Sequence, residues 1–113
     1  MHEVALVAEL VDAAVARSGG EPVATVRVRY ATTIPEDVLR QAFEMLAADG
    51  PLAGAVLDAE AFDIRLECGC GFAGALGHDD MVGTSMAICP ACGDMSTPPR
   101  TAELELVEVV RAA

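Results

Sequence analysis

Four cysteines sit in a stretch of this chain that has little else to fold around. Cys68-Gly69-Cys70-Gly71 and Cys89-Pro90-Ala91-Cys92-Gly93 bracket a segment rich in Gly and Asp, too polar and too short to bury a core of its own. A lobe of that kind needs a staple, and metal binding by paired cysteines supplies one. Two cysteines two residues apart turn in a tight knuckle that aims both sulfurs at one ion. Pro90 stiffens that turn, and Gly93 permits the positive φ that ends it. Four thiolates favour zinc and leave no open position. The first pair has a single intervening residue, so its turn must differ, and Gly69 is expected to let the backbone fold more sharply there. Thiolate is the better zinc ligand, so both Cys68 and Cys70 are expected to bind. Glu67, His78, Asp79 and Asp80 are the substitutes should one sulfur miss the ion; otherwise His78 reads as part of a solvated turn.

The remaining composition narrows the setting. At 113 residues the chain is one compact domain or a domain with a small satellite. With 53% hydrophobic but only 4% aromatic residues, its core must be Val, Leu, Ala and Met, with Phe43, Phe62 and Phe72 as the few large pieces. The formal charge of -11 and the lack of a Lys/Arg run argue against nucleic acid and point to cations or basic protein surfaces. No stretch approaches the ~20 apolar residues that cross a bilayer. Glu3, Glu9 and Asp12 interrupt the apolar start, and no basic segment precedes it, so a secretory signal is not expected. A reducing cytoplasm follows, where cysteine pairs more often hold metal than form disulfides.

Periodicity gives an α+β body. Val4, Val7, Leu10 or Val11, and Ala14 or Val15 recur at helical spacing until Ser18-Gly19-Gly20 stops the helix. Val26, Val28 and Tyr30 alternate with Thr25, Arg27 and Arg29, as in a half-buried strand. Thr33-Ile34-Pro35-Glu36 has capping-box spacing and opens a second helix that runs to about Ala48, burying Val38, Ala42, Met45 and Leu46. A second strand is expected from Ala59 to Glu67, with Phe62, Ile64 and Leu66 facing inward. A third runs from Ala102 to Val110, with Glu103, Glu105 and Glu108 as its wet face. The expected fold is a three-stranded sheet with two helices on one face and a small zinc-ribbon-like lobe inserted before the last strand. Residues 1–66 and 98–113 form the body, and residues 67–97 the lobe.

Met1-His2-Glu3 is a second, harder ligand set. A terminal amine, the next backbone nitrogen and an imidazole can close small chelate rings around one ion, a donor set that suits nickel or copper. Taken alone, an early His and Glu are more often a frayed terminus, and Glu3 also complements the helix dipole. A closed sulfur cage beside an open nitrogen-and-oxygen site describes a protein that keeps one ion and hands on another. The sequence has no glycine-rich phosphate loop, no Ser-His-Asp or Cys-His constellation and no isolated carboxylate pair, so it does not read as an enzyme.

Met-His-Glu at the start, the helix ending near Ala42-Phe43-Glu44, and the cysteine lobe ahead of Ala102-Glu103-Leu104-Glu105-Leu106 together resemble the HypA/HybF family of nickel-insertion accessory proteins for hydrogenase maturation. The resemblance covers essentially the whole chain. It implies a nickel metallochaperone in which His2 and Glu3, with the Met1 amine as a further donor, take Ni(II). It also implies that Cys68, Cys70, Cys89 and Cys92 hold structural zinc. A partner GTPase and a hydrogenase large-subunit precursor are the implied partners, and a homodimer is left open. The chain departs from the family pattern in the one-residue spacing of Cys68 and Cys70, in the long gap to Cys89, and at Pro35. The family often has an acidic residue there, for which Glu36 or Asp37 are the neighbouring substitutes. The competing functions are an acidic zinc-ribbon interaction adaptor with no nickel role and, third, a small redox protein.

Overall fold

A computed structural model describes residues 2–82, 86–98 and 102–112, with His2 described in its backbone alone. Helix α1 spans His2–Ser18. It buries Val7, Leu10, Val11 and Ala14, one stripe of the expected helical spacing. Gly19 and Gly20, at φ 65° and 86°, end it. The Ser18 hydroxyl donates to the Val15 carbonyl at 2.8 Å and accepts from the Gly20 N–H.

Strand β1, Val23–Ala31, is the middle of a three-stranded sheet. Helix α2 (Glu36–Leu46) follows it and leads to β2 (Val56–Phe62), which pairs parallel to β1 with Val28 opposite Ala59. A parallel pair needs a crossover of this kind. The last strand of the chain, Leu104–Arg111, lies antiparallel on the other side of β1. Both helices cover one face of this sheet, where Val26, Val28, Tyr30, Leu39, Phe43 and Leu57 join the α1 stripe in a single core.

Three local expectations change. The inward stripe of α2 is Leu39, Ala42 and Phe43, while Val38 is only half-buried and Met45 and Leu46 are 64% and 38% exposed. Taking Val38 as the first inward residue turns the stripe by one position, about 100° around the helix, and the helix stops at Leu46 rather than Ala48. No side chain caps its start, which is Pro35; Thr33 and Glu36 have other partners. The strand expected from Ala59 to Glu67 is two. β2 ends at Phe62, and β3 (Arg65–Glu67) pairs with β4 (Ala73–Ala75) in a different sheet. Alternation survives the break, with Ile64 and Leu66 buried and Asp63, Arg65 and Glu67 exposed, so period two could not show that the strand had changed partner.

The inserted lobe continues with a single 3-10 turn, His78–Asp80. A small sheet follows, formed by β5 (Met81–Val82), β6 (Met86–Ile88) and β7 (Met95–Ser96). The final strand is therefore β8. The lobe does bury a modest cluster: Ile64, Leu66, Leu76, Ala87 and Cys89 pack with Ala31 from the end of β1. The molecule is elongated, 52 Å by 22 Å by 20 Å.

Candidate metal centres

Each cysteine pair sits in the turn of a hairpin. Cys68 and Cys70 lie between β3 and β4, where the Cys68 N–H donates to the Phe72 carbonyl at 2.8 Å and the Gly71 N–H donates back to Cys68 at 3.0 Å. Cys89 and Cys92 lie between β6 and β7. There the Cys89 N–H donates to Asp94 and the Gly93 N–H to Cys89, both at 2.9 Å. The second turn closes over four residues and the first over three, so the missing residue in Cys-Gly-Cys is absorbed by a tighter turn. Positive φ falls on Gly71 (103°) and Gly93 (80°), the residue after the second cysteine in both cases. The left-handed glycine is thus Gly71 and not Gly69, and since Gly93 plays the same part after the wider pair, it ends the turn whatever the spacing.

The hairpins bring all four sulfurs within 4.8 Å of one another, and among the described residues no histidine or carboxylate joins that cluster. Cys68 and Cys92 stand 3.6 Å apart and Cys70 and Cys89 3.7 Å. A disulfide would need about 2.05 Å. A tetrahedron of sulfurs about 2.3 Å from a central zinc has edges of about 3.8 Å, so the donor set fits that ion. The thiols also hold their protons jointly. Burial works to raise Cys89, but backbone N–H groups of Cys92 and Ala91 and the thiols of Cys70 and Cys92 bring it down to about 7. At Cys92 the Asp94 backbone lowers the pKa, yet burial and the three other thiols raise it to about 12.

His78 is not beside the cysteines. Its Nδ1 lies 2.9 Å from the Thr33 carbonyl and 3.3 Å from Oε1 of Glu3, on the first turn of α1. Thr33 is itself pinned: its hydroxyl donates at 2.7 Å to Oε2 of Glu103, and the Ala31 N–H donates to the Glu103 carbonyl at 2.7 Å. Glu103, expected on a wet face, is 4% exposed, because β8 begins only at Leu104 and Glu103 precedes it, against the β1–α2 loop. Met1 and the His2 side chain lie outside the described residues. Glu36 accepts from the Tyr30 hydroxyl at 3.1 Å and from Arg40 at 2.8 Å, while Asp37 is exposed on the first turn of α2. No local pattern signalled the meeting of His78 and Glu3; Gly77-His78-Asp79-Asp80 reads as a turn, and a turn it is.

The chain matches the family model described as hydrogenase/urease nickel incorporation, metallochaperone, over residues 1–110. It is 34% identical over 100 residues to a hydrogenase maturation factor HypA of Solidesulfovibrio magneticus, covering 82% of each chain. Its fold is similar to the solution structure of the nickel metallochaperone HypA from Helicobacter pylori, with a TM-score of 0.62 at 19% identity over 100% of this chain and 99% of that one. A second HypA solution structure gives a TM-score of 0.51 at 16% identity, with 96% and 92% covered. Together with the helix-covered sheet and the four-sulfur lobe, these matches show that the chain belongs to the HypA family of nickel-incorporation metallochaperones.

Proposed function

We propose that this chain binds Ni(II) through His2 and Glu3, with the Met1 amine as a further donor, and delivers it to a hydrogenase large-subunit precursor with the help of a partner GTPase in the cytoplasm. The observation that carries this reading is the family match over residues 1–110, which includes the Met-His-Glu segment. Nickel is cargo. A neutral imidazole and a carboxylate are borderline and hard donors that suit a divalent ion bound tightly enough to carry and loosely enough to release.

We assign the lobe, residues 67–97, a structural role. Cys68, Cys70, Cys89 and Cys92 would hold Zn(II), which supplies a cross-link between two hairpins that bury little of their own. Residues 1–66 and 98–113 would form the nickel-binding body. Calorimetry with Ni(II) on untagged protein tests the reading: the parent should bind one ion, and His2→Ala should abolish that binding without changing zinc content or thermal stability. Equal nickel affinity in parent and variant would refute it. Delivery is tested by nickel transfer to an isolated hydrogenase precursor against urease apoprotein, with activation of the hydrogenase expected.

A further inference from the structure

The two edge strands of the three-stranded sheet are treated differently. On β2 the Leu57 carbonyl receives the Arg40 guanidinium of α2 at 3.0 Å, so a helix side chain occupies that edge. On β8 the corresponding reach from α1 falls short: Arg17 Nη1 lies 3.5 Å from the Val107 carbonyl, at the limit of a hydrogen bond. β8 pairs with β1 alone, and among the described residues no strand adds to its outer side. A row of unpaired backbone donors and acceptors is a template for a further strand, which proteins usually blunt with charge, proline or a bulge. Here the blunting is partial. The register shift between Arg27 and Val28 leaves Val107 without an opposite residue on β1, but no proline follows it in β8. A groove of about 570 Å³ follows this edge, lined by Arg17 and by Val107, Glu108, Val109, Val110 and Arg111. Its three valines suit an extended partner, and Val107 is 49% exposed.

The charges of the groove are arranged by side. On the open face of the sheet Glu108 is already held by Arg27 at 3.0 Å, and Arg27 also faces Asp58 at 3.5 Å. On the side of α1 stand Arg17 and Arg111. Arg111 meets Glu21 at 3.5 Å, with both side chains more than half exposed, and Arg17 has no carboxylate partner among the described residues. A chain of net charge -11 thus shows a surplus cation at one open strand edge. Screening over about 8 Å at physiological salt makes these near charges count for more than the distant acidic surface. We propose that the β8 edge, residues 107–111, is a docking site for an extended acidic segment of a second protein, which adds as a strand beside β8. Backbone hydrogen bonds supply the affinity, and acidic side chains at every second position, all turned toward α1, meet Arg17 and Arg111. A register slip of one residue would set the same acids beside Glu108, so the charges also fix the register.

Capped peptides of about eight residues and the zinc-loaded full chain test it. A peptide alternating Val and Glu should bind, shift the backbone amides of residues 107–111 in NMR spectra and slow their exchange with solvent. Its Val–Lys counterpart should bind at least about tenfold more weakly. N-methylation of alternate backbone nitrogens, which removes the donors of one peptide edge, should abolish binding when that edge faces β8. Arg17 is exposed, so Arg17→Glu leaves the core intact. That variant should lose about tenfold in affinity for the Val–Glu peptide and gain for the Val–Lys one. Failure of the Val–Glu peptide to bind would overturn the proposal, as would equal affinity for both peptides or undiminished binding of either N-methylated form. If the chain alone forms dimers with slowed exchange at residues 107–111, the edge belongs to a second copy and the proposal falls. None of these failures touches the nickel reading, which calorimetry decides separately.

Discussion

Cys92 is the residue on which the zinc lobe can be broken most cleanly. It is exposed, so removing its side chain leaves no cavity, yet its sulfur is 3.6 Å from Cys68 and closes the cluster. Cys92→Ala should release zinc and unfold residues 67–97, while the α1, α2 and β1 core, which shares little with the lobe, stays folded. Metal analysis with an NMR fingerprint decides it; a variant that keeps one zinc and unchanged lobe signals would contradict the assignment. In the parent, X-ray absorption at the zinc edge should count four sulfurs, because the tight turn at Gly71 lets Cys70 reach the cluster. The same scale explains what could be read from residues alone. The four cysteines were legible because close-set thiol pairs in a stretch with little else to fold around have few uses besides holding a metal. The burial of Glu103 was not, because a carboxylate in an alternating strand is ordinarily wet, and the Thr33 hydroxyl at 2.7 Å is a partner that no sequence pattern announces. Glu103→Ala strands that buried hydroxyl and should cost about 1–3 kcal/mol in chemical unfolding.

At the scale of elements, α2 shows how local signals compete. Thr33 and Glu36 have the spacing of a capping box, but Thr33 bonds Glu103, and Glu36 accepts from Tyr30 and Arg40 instead. Tertiary partners took both side chains, and the helix opens on Pro35 without a side-chain cap. The hydrogen bonds from Arg40 and then from Tyr30 hold the Glu36 carboxyl below its ordinary value. A depressed carboxylate adds stability that is present above its unfolded pKa and is lost as pH falls through the folded one. Arg40→Leu should therefore be less stable than the parent near neutrality, and in chemical unfolding across pH the gap should narrow as acid protonates Glu36 in both, leaving only the loss of the bond to the Leu57 carbonyl. The helix is fastened mainly by its buried stripe. Phe43→Ala should cost about 3–5 kcal/mol, whereas Met45→Ala, outside the stripe, should move stability by less than about 1 kcal/mol. Period-two alternation likewise marked the inward faces of Phe62, Ile64 and Leu66 without revealing that the sheet changes after Phe62, since an extended backbone alternates whichever strand it pairs with.

For the whole molecule, the layering of helices on a sheet with a cysteine lobe before the last strand follows from chain order and apolar periodicity, but the way the lobe meets the body does not. That meeting depends on contacts of high sequence separation: Ala31 within the lobe's cluster, and His78 on Thr33 and Glu3. The lobe that the four cysteines hold together therefore touches the first turn of α1 through His78 and Glu3, so a change at the cysteine cluster reaches the start of the chain through the fold although the two regions share no cysteine.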